Sequence, residues 1–214
     1  MAMMIAMKIH PLVLGFGAAT SLAVASLMGA PAAGPVEFRP HDIDANFRGG
    51  YAVTVADFNK DGKLDVMPNS LSVSEVGWYE NPGWQRHVIV PEMQQIVNQA
   101  VADITGDGVP EVAYESSFAM QAANSPGHVW IARSQGDPRQ PWKAEKIDSF
   151  PTSHHVIWAD LEGDGKLELV NAPLIGEKSL APTYDQDQAS VFFYHQSDWK
   201  RQTITTTIPR IIHR

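Results

Sequence analysis

The chain contains the same twelve-residue pattern three times: VADFNKDGKLDV at residues 55–66, VADITGDGVPEV at 101–112 and WADLEGDGKLEL at 158–169. Counted from the aspartate in third place, each copy has an acid at loop positions 1, 5 and 9, an oxygen-bearing side chain at position 3 and glycine at position 6. This spacing suits an oxygen cage for calcium, because alternate side chains point inward and glycine permits a sharp turn. The sequence therefore predicts three calcium loops.

The candidate metal ligands follow from these positions, together with the backbone carbonyl at position 7. They are Asp57, Asn59, Asp61, Lys63 and Asp65 in the first loop, Asp103, Thr105, Asp107, Val109 and Glu111 in the second, and Asp160, Glu162, Asp164, Lys166 and Glu168 in the third. Calcium is the predicted ion and magnesium the alternative. Ten of the 24 acids lie in these loops, so bound cations would offset much of the net charge of −8.

An EF-hand shares the first nine positions of this pattern, but it also needs a bidentate acid at position 12 and a helix on either side. Position 12 is Pro68, Tyr114 and Asn171 in the three copies. Short β-branched runs bounded by turn residues flank the loops, and such runs are typical of strands. The sequence therefore predicts a strand, a calcium loop and a second strand in each copy.

A second motif follows the first loop. Residues 76–89 (VGWYENPGWQRHVI) form a predicted hairpin with an Asn-Pro-Gly turn, and weaker copies follow at 128–147 and 191–204. With these loops and hairpins, the chain from about residue 36 to 214 resembles the FG-GAP/VCBS repeat β-propellers, in which a calcium loop joins two strands of each blade. The resemblance implies an all-β fold with blades at about 51–90, 96–147 and 154–204.

Three blades do not close a ring, since propellers typically have four to eight. The resemblance therefore implies a partial ring, part of a seven-bladed propeller, in which residues 33–214 are an apparently truncated domain or one segment of a longer protein. Association of several copies into a closed ring is the alternative. Residues 36–50 form an entry segment, which is expected to add a strand to the last blade, as such segments often do.

The first 32 residues are predicted to be a cleaved signal peptide. Lys8 supplies a positive charge, residues 11–28 are an uncharged apolar run, and residues 30–32 (APA) offer small side chains for cleavage. A membrane anchor is the alternative, because the run approaches the length of a span. A periplasmic or secreted protein also suits calcium loops, since extracellular modules work at high calcium concentrations. The absence of cysteine fits any compartment.

Two polar insertions, residues 121–127 and 176–188, fall at equivalent places in the second and third blades. In repeat architectures such insertions gather on one face, which is often the binding face. A carbohydrate or protein ligand is expected there, and a solvated surface loop is the alternative. Trp78, Tyr79 and Trp84 could stack on a sugar or pack the hairpins between blades. Nucleic acid is not an expected partner, because no basic patch with interleaved aromatic residues is present.

Three histidines are candidate catalytic residues. His154 and His155 open the first strand of the third blade, and His213 holds a similar place further along. They could bind a transition metal or act as acid–base groups at the mouth of the axial channel, or they could be polar channel lining. Residues 154–160, 172–176 and 209–214 resemble the propeller portion of aldos-2-ulose dehydratase/isomerase proteins. That resemblance implies a metal-dependent carbohydrate lyase with a histidine-bound metal.

Two functions therefore stay open at the level of the sequence. The first is a secreted calcium-binding propeller that serves as a binding or adhesion scaffold. The second is a carbohydrate-active lyase, of which this segment would be an inactive or partial form. Neither a Gly-x-Ser-x-Gly elbow nor a phosphate-binding glycine loop is present.

Overall fold

The computed structural model describes residue 34 and residues 36–213 of the chain. The predicted signal peptide, residues 1–32, lies outside the described residues. Residues 36–40 contain no strand, and every strand belongs to the compact unit that begins at His41. Among the described residues, no helix has the length and apolar character needed to cross a membrane.

Among the described residues, twelve strands form three sheets, and one short 3-10 turn lies at Ala122–Asn124. They are β1 (Gly50–Ala56), β2 (Asp65–Ser70), β3 (Glu75–Glu80), β4 (Gln85–Pro91), β5 (Asn98–Ala102), β6 (Glu111–Ser116), β7 (His128–Arg133), β8 (Lys143–Ser149), β9 (Ser153–Ala159), β10 (Glu168–Pro173), β11 (Gln188–Tyr194) and β12 (Arg201–Pro209). Each consecutive set of four forms one antiparallel sheet, here called the first, second and third sheet. The predicted all-β architecture is confirmed, and the arrangement is compatible with a β-propeller-like fold.

The first strands of the three sheets lie together. Strands β1, β5 and β9 line one cavity of about 350 Å³, and β5 contacts both of the others. The remaining strands of each sheet follow outward in chain order. The sheets are therefore grouped around their first strands, as the blades of a propeller are.

Two of the three hydrophobic cores among the described residues fill the spaces between neighbouring sheets. The first contains Phe58, Met67, Trp78, Ile89, Val112, Tyr114 and Trp142, and the second contains Ala113, Val129, Ile131, Phe150, Val156, Leu169, Phe192 and Tyr194. Strand β6 contributes to both, because side chains alternate between the two faces of a strand. Val112 and Tyr114 face the first core and Ala113 faces the second, so all six residues of β6 are buried.

The predicted hairpin at residues 76–89 is present as β3 and β4, with a turn at residues 81–84. Trp78 and Tyr79 are 0 % and 3 % exposed, and the ring centroid of Trp78 lies 5.4 Å from that of Phe58. Trp78 packs in the first core, and Tyr79 is covered on the outer face of the first sheet, so neither side chain is accessible to a sugar ring. Trp84 in the turn is partly exposed.

Residues 36–49 form no strand here, and the strand expected to be added to the last blade of a closed ring stays a prediction. Residues 41–48 lie against the outer face of the first sheet, where Tyr79 donates a hydrogen bond to Asp44 and the guanidinium of Arg86 lies 5.8 Å from the centre of the Phe47 ring. The Asp44 side chain accepts the N–H of Asn46 at 2.8 Å. Because this bond forms a local turn, the segment is folded back and not extended.

Bidentate pairs between arginine and a carboxylate connect neighbouring sheets. Arg139, in the loop between β7 and β8, donates to both oxygens of Glu80 on β3, at 2.9 and 2.5 Å. Arg201 on β12 does the same to Asp148 on β8, at 2.7 and 2.6 Å. The bonds from Arg139 lower the pKa of Glu80 to about 2. Charge-assisted pairs of this geometry are stronger than single neutral hydrogen bonds, so they fix neighbouring sheets relative to each other.

The Asp148 pair makes the fold sensitive to acid. Burial alone would raise the pKa of Asp148, but hydrogen bonds from Arg201 and from the hydroxyl of Tyr194 at 2.7 Å outweigh it, so the pKa lies below the usual 3.8. A carboxylate whose pKa is lowered by folding stabilises the fold above its unfolded-state pKa. This contribution is therefore present above about pH 4 and is lost as the pH falls further.

Replacing Arg201 by leucine is expected to lower the free energy of unfolding by about 2–3 kcal/mol at pH 7, because Asp148 then stays half-buried without its cation. Urea unfolding at pH 7 measures the loss, and a repeat near pH 3 should give a smaller one. Lys200→Leu is the matched control, since Lys200 pairs with Asp198 at 3.2 Å on the surface and should change stability by only about 0.5 kcal/mol. Equal losses for the two variants would contradict the role given to the Asp148 pair.

A buried carboxylate interrupts the second core. Glu115 on β6 alternates with Ala113 on the face toward the third sheet, is 0 % exposed, and has no hydrogen-bond partner for either oxygen among the described residues. In the first repeat the equivalent residue is Asn69, whose side-chain amide donates a hydrogen bond to Gln99 of the second repeat. The equivalent of Gln99 in the third repeat is Val156, whose side chain cannot form a hydrogen bond. Burial raises the pKa of Glu115 well above its usual value, so folding favours the neutral acid.

Candidate metal-binding loops

The three loops have the same hydrogen-bond pattern. Each joins the first strand of a sheet to the second. In the first loop the two carboxylate oxygens of Asp57 accept the N–H groups of Asp61 at 3.1 Å and Gly62 at 2.8 Å. Asp103 accepts from the same two loop positions at 3.1 and 2.8 Å, and Asp160 at 3.1 and 3.0 Å. The aspartate at position 1 therefore organises the turn in every loop.

The glycine at position 6 is needed for the backbone conformation. Its φ angle is +82° in Gly62, +88° in Gly108 and +84° in Gly165. Residues with a side chain rarely adopt this left-handed conformation, whereas glycine does so readily. The prediction that position 6 forms a sharp turn is confirmed in all three loops.

The acid at position 9 lies at the base of each loop. Asp65, Glu111 and Glu168 are 0 %, 4 % and 3 % exposed, and each accepts the N–H of loop position 2 at 2.9 Å. Burial raises the pKa of Asp65. These carboxylates tie the start of the loop to the strand that follows it. The acids at position 9 therefore stabilise the loop through its own backbone.

The acid at position 5 is exposed and interacts with position 7. Asp61, Asp107 and Asp164 accept the N–H of position 7 at 2.9, 2.7 and 2.8 Å. In the first and third loops position 7 is lysine, whose ammonium lies 2.9 Å from Asp61 and 3.0 Å from Asp164. The pKa of Asp61 is lowered by the Lys63 side chain, and that of Asp164 by the backbone amide of Lys166 and then by its side chain. In the first and third loops the acid at position 5 is therefore already paired with a lysine of its own loop.

The side chains at position 3 differ between the loops. Asn59 accepts the N–H of Asp61 at 3.1 Å and donates to Glu80 at 2.8 Å. Glu162 in the third loop lies 3.7 Å from Nε2 of His195. The first two loops are also in contact, because the ammonium of Lys60 donates to the backbone carbonyl of Asp107.

The donor atoms of the loops fit a hard cation in their chemistry, because every predicted ligand offers oxygen, which calcium and magnesium prefer. In the first loop the side-chain oxygens of Asp57 and Asn59 approach the same N–H group and are therefore neighbours. Within residues 34 and 36–213, however, no three histidine or acidic side chains are arranged to hold one ion. The carboxylates at position 1 accept hydrogen bonds from backbone amides, and a carboxylate that does so keeps further lone pairs.

An EF-hand is excluded by the elements that surround the loops. Strands β1 and β2, β5 and β6, and β9 and β10 flank them, as the sequence predicted. The residues at position 12, Pro68, Tyr114 and Asn171, lie within β2, β6 and β10. The ligand set that the loops offer therefore ends at position 9.

The structure separates the three candidate histidines. His154 and His155 are consecutive residues of β9 and point to opposite faces of the strand. His154 is buried, accepts or donates a hydrogen bond with the Tyr51 hydroxyl at 3.1 Å, and has its ring centroid 5.3 Å from that of His213. His155 instead lines the cavity between β1, β5 and β9. His154 and His213 are therefore close enough to act together.

The two insertions lie together at one end of the strands, as the sequence predicted. Residues 120–123 and 179–181 line a shared cavity of about 320 Å³. The loops after β2, β6 and β10 share this end, here called the insertion face, whereas the candidate metal loops lie at the opposite end of the same strands. Strands of six residues separate the two ends by roughly 20 Å.

Several contacts at these sites were not predicted from the sequence. Phe118 and Ile211 lie next to His154 and His213 at the insertion face, and the pair of Glu80 with Arg139 lies beside the first loop. These residues are far apart in the chain and carry no motif. Alternation along β9 was a signal that His154 and His155 face different ways.

Comparison of the sequence with protein-family models gives no match, and comparison with curated proteins gives none either.

Proposed function

We propose that the protein is a calcium-binding repeat propeller of FG-GAP/VCBS type, periplasmic or secreted, that serves as a binding scaffold. The observation that carries the proposal is the hydrogen-bond pattern shared by the three loops, in which positions 1, 5, 6 and 9 have the same roles each time. Three copies of one loop imply one function for all three. Oxygen donors at this spacing suit calcium.

Calcium would act on stability through the exposed acids. In each loop the ion would be held by side chains at positions 1, 3 and 5 and the carbonyl at position 7, with position 9 as a further donor. Carboxylates brought close together repel each other by about 1–4 kcal/mol per pair at water-like to surface-like dielectric. Lys63 and Lys166 offset part of this repulsion at position 5, and a divalent cation would offset more.

The scaffold role is supported by the position of the insertions. A rigid loop at one end fixes the two strands that it joins. These strands in turn fix the position of the insertion at their other end. Binding surfaces built from loops on a rigid sheet framework are common. The insertion face is therefore the proposed ligand surface, for a protein or a small molecule.

Exposed apolar side chains on the outer faces of the first and third sheets support the proposal of a larger ring. Val53 and Val55 on β1 are 64 % and 54 % exposed, and Ile157 on β9 is 43 % exposed. The equivalent residues of β5 face a neighbouring sheet, since Val101 and Ala100 pack against the two cores. We propose that further blades, or another copy of the chain, cover these faces in a seven-bladed ring or a ring of several chains.

Calorimetric titration of the calcium-free protein with calcium tests the proposal. Three sites are expected, and Asp57→Ala, Asp103→Ala and Asp160→Ala should each remove one. Asp137→Ala is the matched control, because Asp137 is an exposed acid outside the loops and its removal should leave three sites. No heat of binding at millimolar calcium, or the same number of sites in every variant, would overturn the proposal.

A metal-dependent carbohydrate lyase is the second candidate. The observation that favours it is the proximity of His154 and His213 beside the Tyr51 hydroxyl. A transition metal retained by the purified protein, and lost in both His154→Ala and His213→Ala, would favour this function. Since His155 faces the axial cavity, His155→Ala should not change that metal content.

A further inference from the structure

A cavity of about 370 Å³ on the insertion face is lined by side chains from all three sheets. Tyr51 and Leu71 come from the first sheet and the loop after it, Phe118 and Met120 from the loop after β6, and Leu174 from the loop after β10. Ile211, His154 and His213 complete the wall. Six of these eight residues are aliphatic or aromatic, so the interior is apolar.

The mouth of the cavity concentrates exposed apolar side chains. Tyr51, Leu71, Met120 and Ile211 are 43 %, 39 %, 50 % and 44 % exposed. Isolated exposed apolar residues are ordinary, but several around one concave site mark a place where a ligand or partner is bound. Tyr51 belongs to β1, and the other three side chains come from loops of three different sheets, so they meet only through the packing of the sheets.

The polar groups of the cavity are few and lie on one side. The Tyr51 hydroxyl and Nε2 of His154 are hydrogen-bonded at 3.1 Å. The ring of His154 also lies 5.1 Å from Phe118 at an interplanar angle of 60° and 5.3 Å from His213. This wall therefore offers aromatic rings and one or two hydrogen-bonding atoms.

We propose that the cavity binds an uncharged aromatic ring that carries one hydrogen-bonding group, of the indole or phenol type. A volume near the lower end of the range for ligand pockets suits one or two rings. Aromatic rings favour edge-to-face contacts with rings such as those of Phe118 and Tyr51. A sugar would leave most of its hydroxyl groups unpaired against Leu71, Met120 and Ile211, which is costly.

This inference rests on the binding role proposed for the insertion face and is independent of calcium binding. The ring could be a free small molecule or an aromatic side chain of a peptide. Both sources share the same chemistry, so the same cavity residues would recognise them. Free indole and a short glycine-flanked tryptophan peptide distinguish the two sources.

Titration of the full chain with indole, followed by NMR of the methionine methyl groups, tests the inference. The Met120 methyl signal should shift through the ring current of the bound indole. Calorimetry measures the affinity of the variants: Met120→Ser should weaken indole binding about tenfold, and Tyr51→Phe should weaken it less. Ile204→Ser is the matched control: Ile204 on β12 is also 50 % exposed but lies outside the cavity, and its change should leave the affinity unaltered.

The titration is repeated in EGTA, so that failure of calcium binding and failure of this inference can be told apart. Tighter binding of the tryptophan peptide than of indole, with no binding of an all-glycine peptide, assigns the site to a protein partner. The inference is overturned if indole and the peptide both fail to shift Met120, or if Ile204→Ser weakens binding as much as Met120→Ser does. It is also overturned if the cavity binds glucose or zinc in place of indole.

Discussion

Calcium is expected to raise the melting temperature of the protein well above the value in EGTA. A ligand that binds only the folded state stabilises it by about 2.7 kcal/mol per site at one hundred times its dissociation constant. For a chain of this size each kcal/mol corresponds to about 2–4 °C. One occupied loop should therefore add about 5–10 °C, and three loops should add more.

Differential scanning calorimetry measures this shift, with ionic strength held constant to separate binding from charge screening. Sodium chloride at the same ionic strength is the control, because screening acts on all exposed charges. Magnesium should stabilise less than calcium, since it requires stricter geometry and gives up its water reluctantly. A melting temperature that is the same in calcium and in EGTA would mean that the loops do not hold metal.

Replacement of Glu115 by methionine is expected to stabilise the protein by about 1–3 kcal/mol at pH 7, because it removes a buried polar group that has no partner. The variant keeps a similar side-chain volume on the face that packs against the third sheet. Urea unfolding measures the gain. Glu177→Met is the matched control, since Glu177 is exposed in the third-sheet insertion and should change stability little.

The gain should depend on pH in a defined direction. The pKa of Glu115 is raised by burial above its usual 4.5, so below that pH the acid is protonated both folded and unfolded. As the pH rises, the unfolded chain loses this proton while the folded chain keeps it, and wild-type stability falls. The advantage of Glu115→Met should therefore grow between about pH 4.5 and 7. Glu115→Gln should remove this pH dependence while keeping the cost of an unpaired polar group, and a pH-independent gain for Glu115→Met would contradict the assignment.

The sequence predicted local structure well because the motifs are local. The backbone of each loop requires glycine at position 6, where Gly62, Gly108 and Gly165 have positive φ angles. The short β-branched runs around the loops form strands, and those of β5, β6 and β10 place side chains against the two cores. Strand β1 instead leaves Val53 and Val55 exposed. The sequence also predicted that the insertions share one face, since equivalent loops of repeated units lie at the same end.

The contacts between distant parts of the chain were not predictable in this way. Tyr51 and His154 are 103 residues apart, and their hydrogen bond depends on how the first strands of two sheets approach each other. Arg139 and Glu80 also meet only because neighbouring sheets pack together. Glu115 could have been noticed, because it is an acid at a strand position where the first repeat has Asn69. Its lack of a hydrogen-bond partner among the described residues depends on the packing around β6 and carries no sequence signal.

Crystals grown with calcium and measured at a wavelength where calcium scatters anomalously would show whether each of the three repeated loops holds one calcium ion. One anomalous peak is expected in each loop, surrounded by oxygen atoms of positions 1, 3 and 5 and by the carbonyl of position 7. Loops that show no peak at saturating calcium, with Asp57, Asp103 and Asp160 still bonded only to backbone amides, would contradict this expectation.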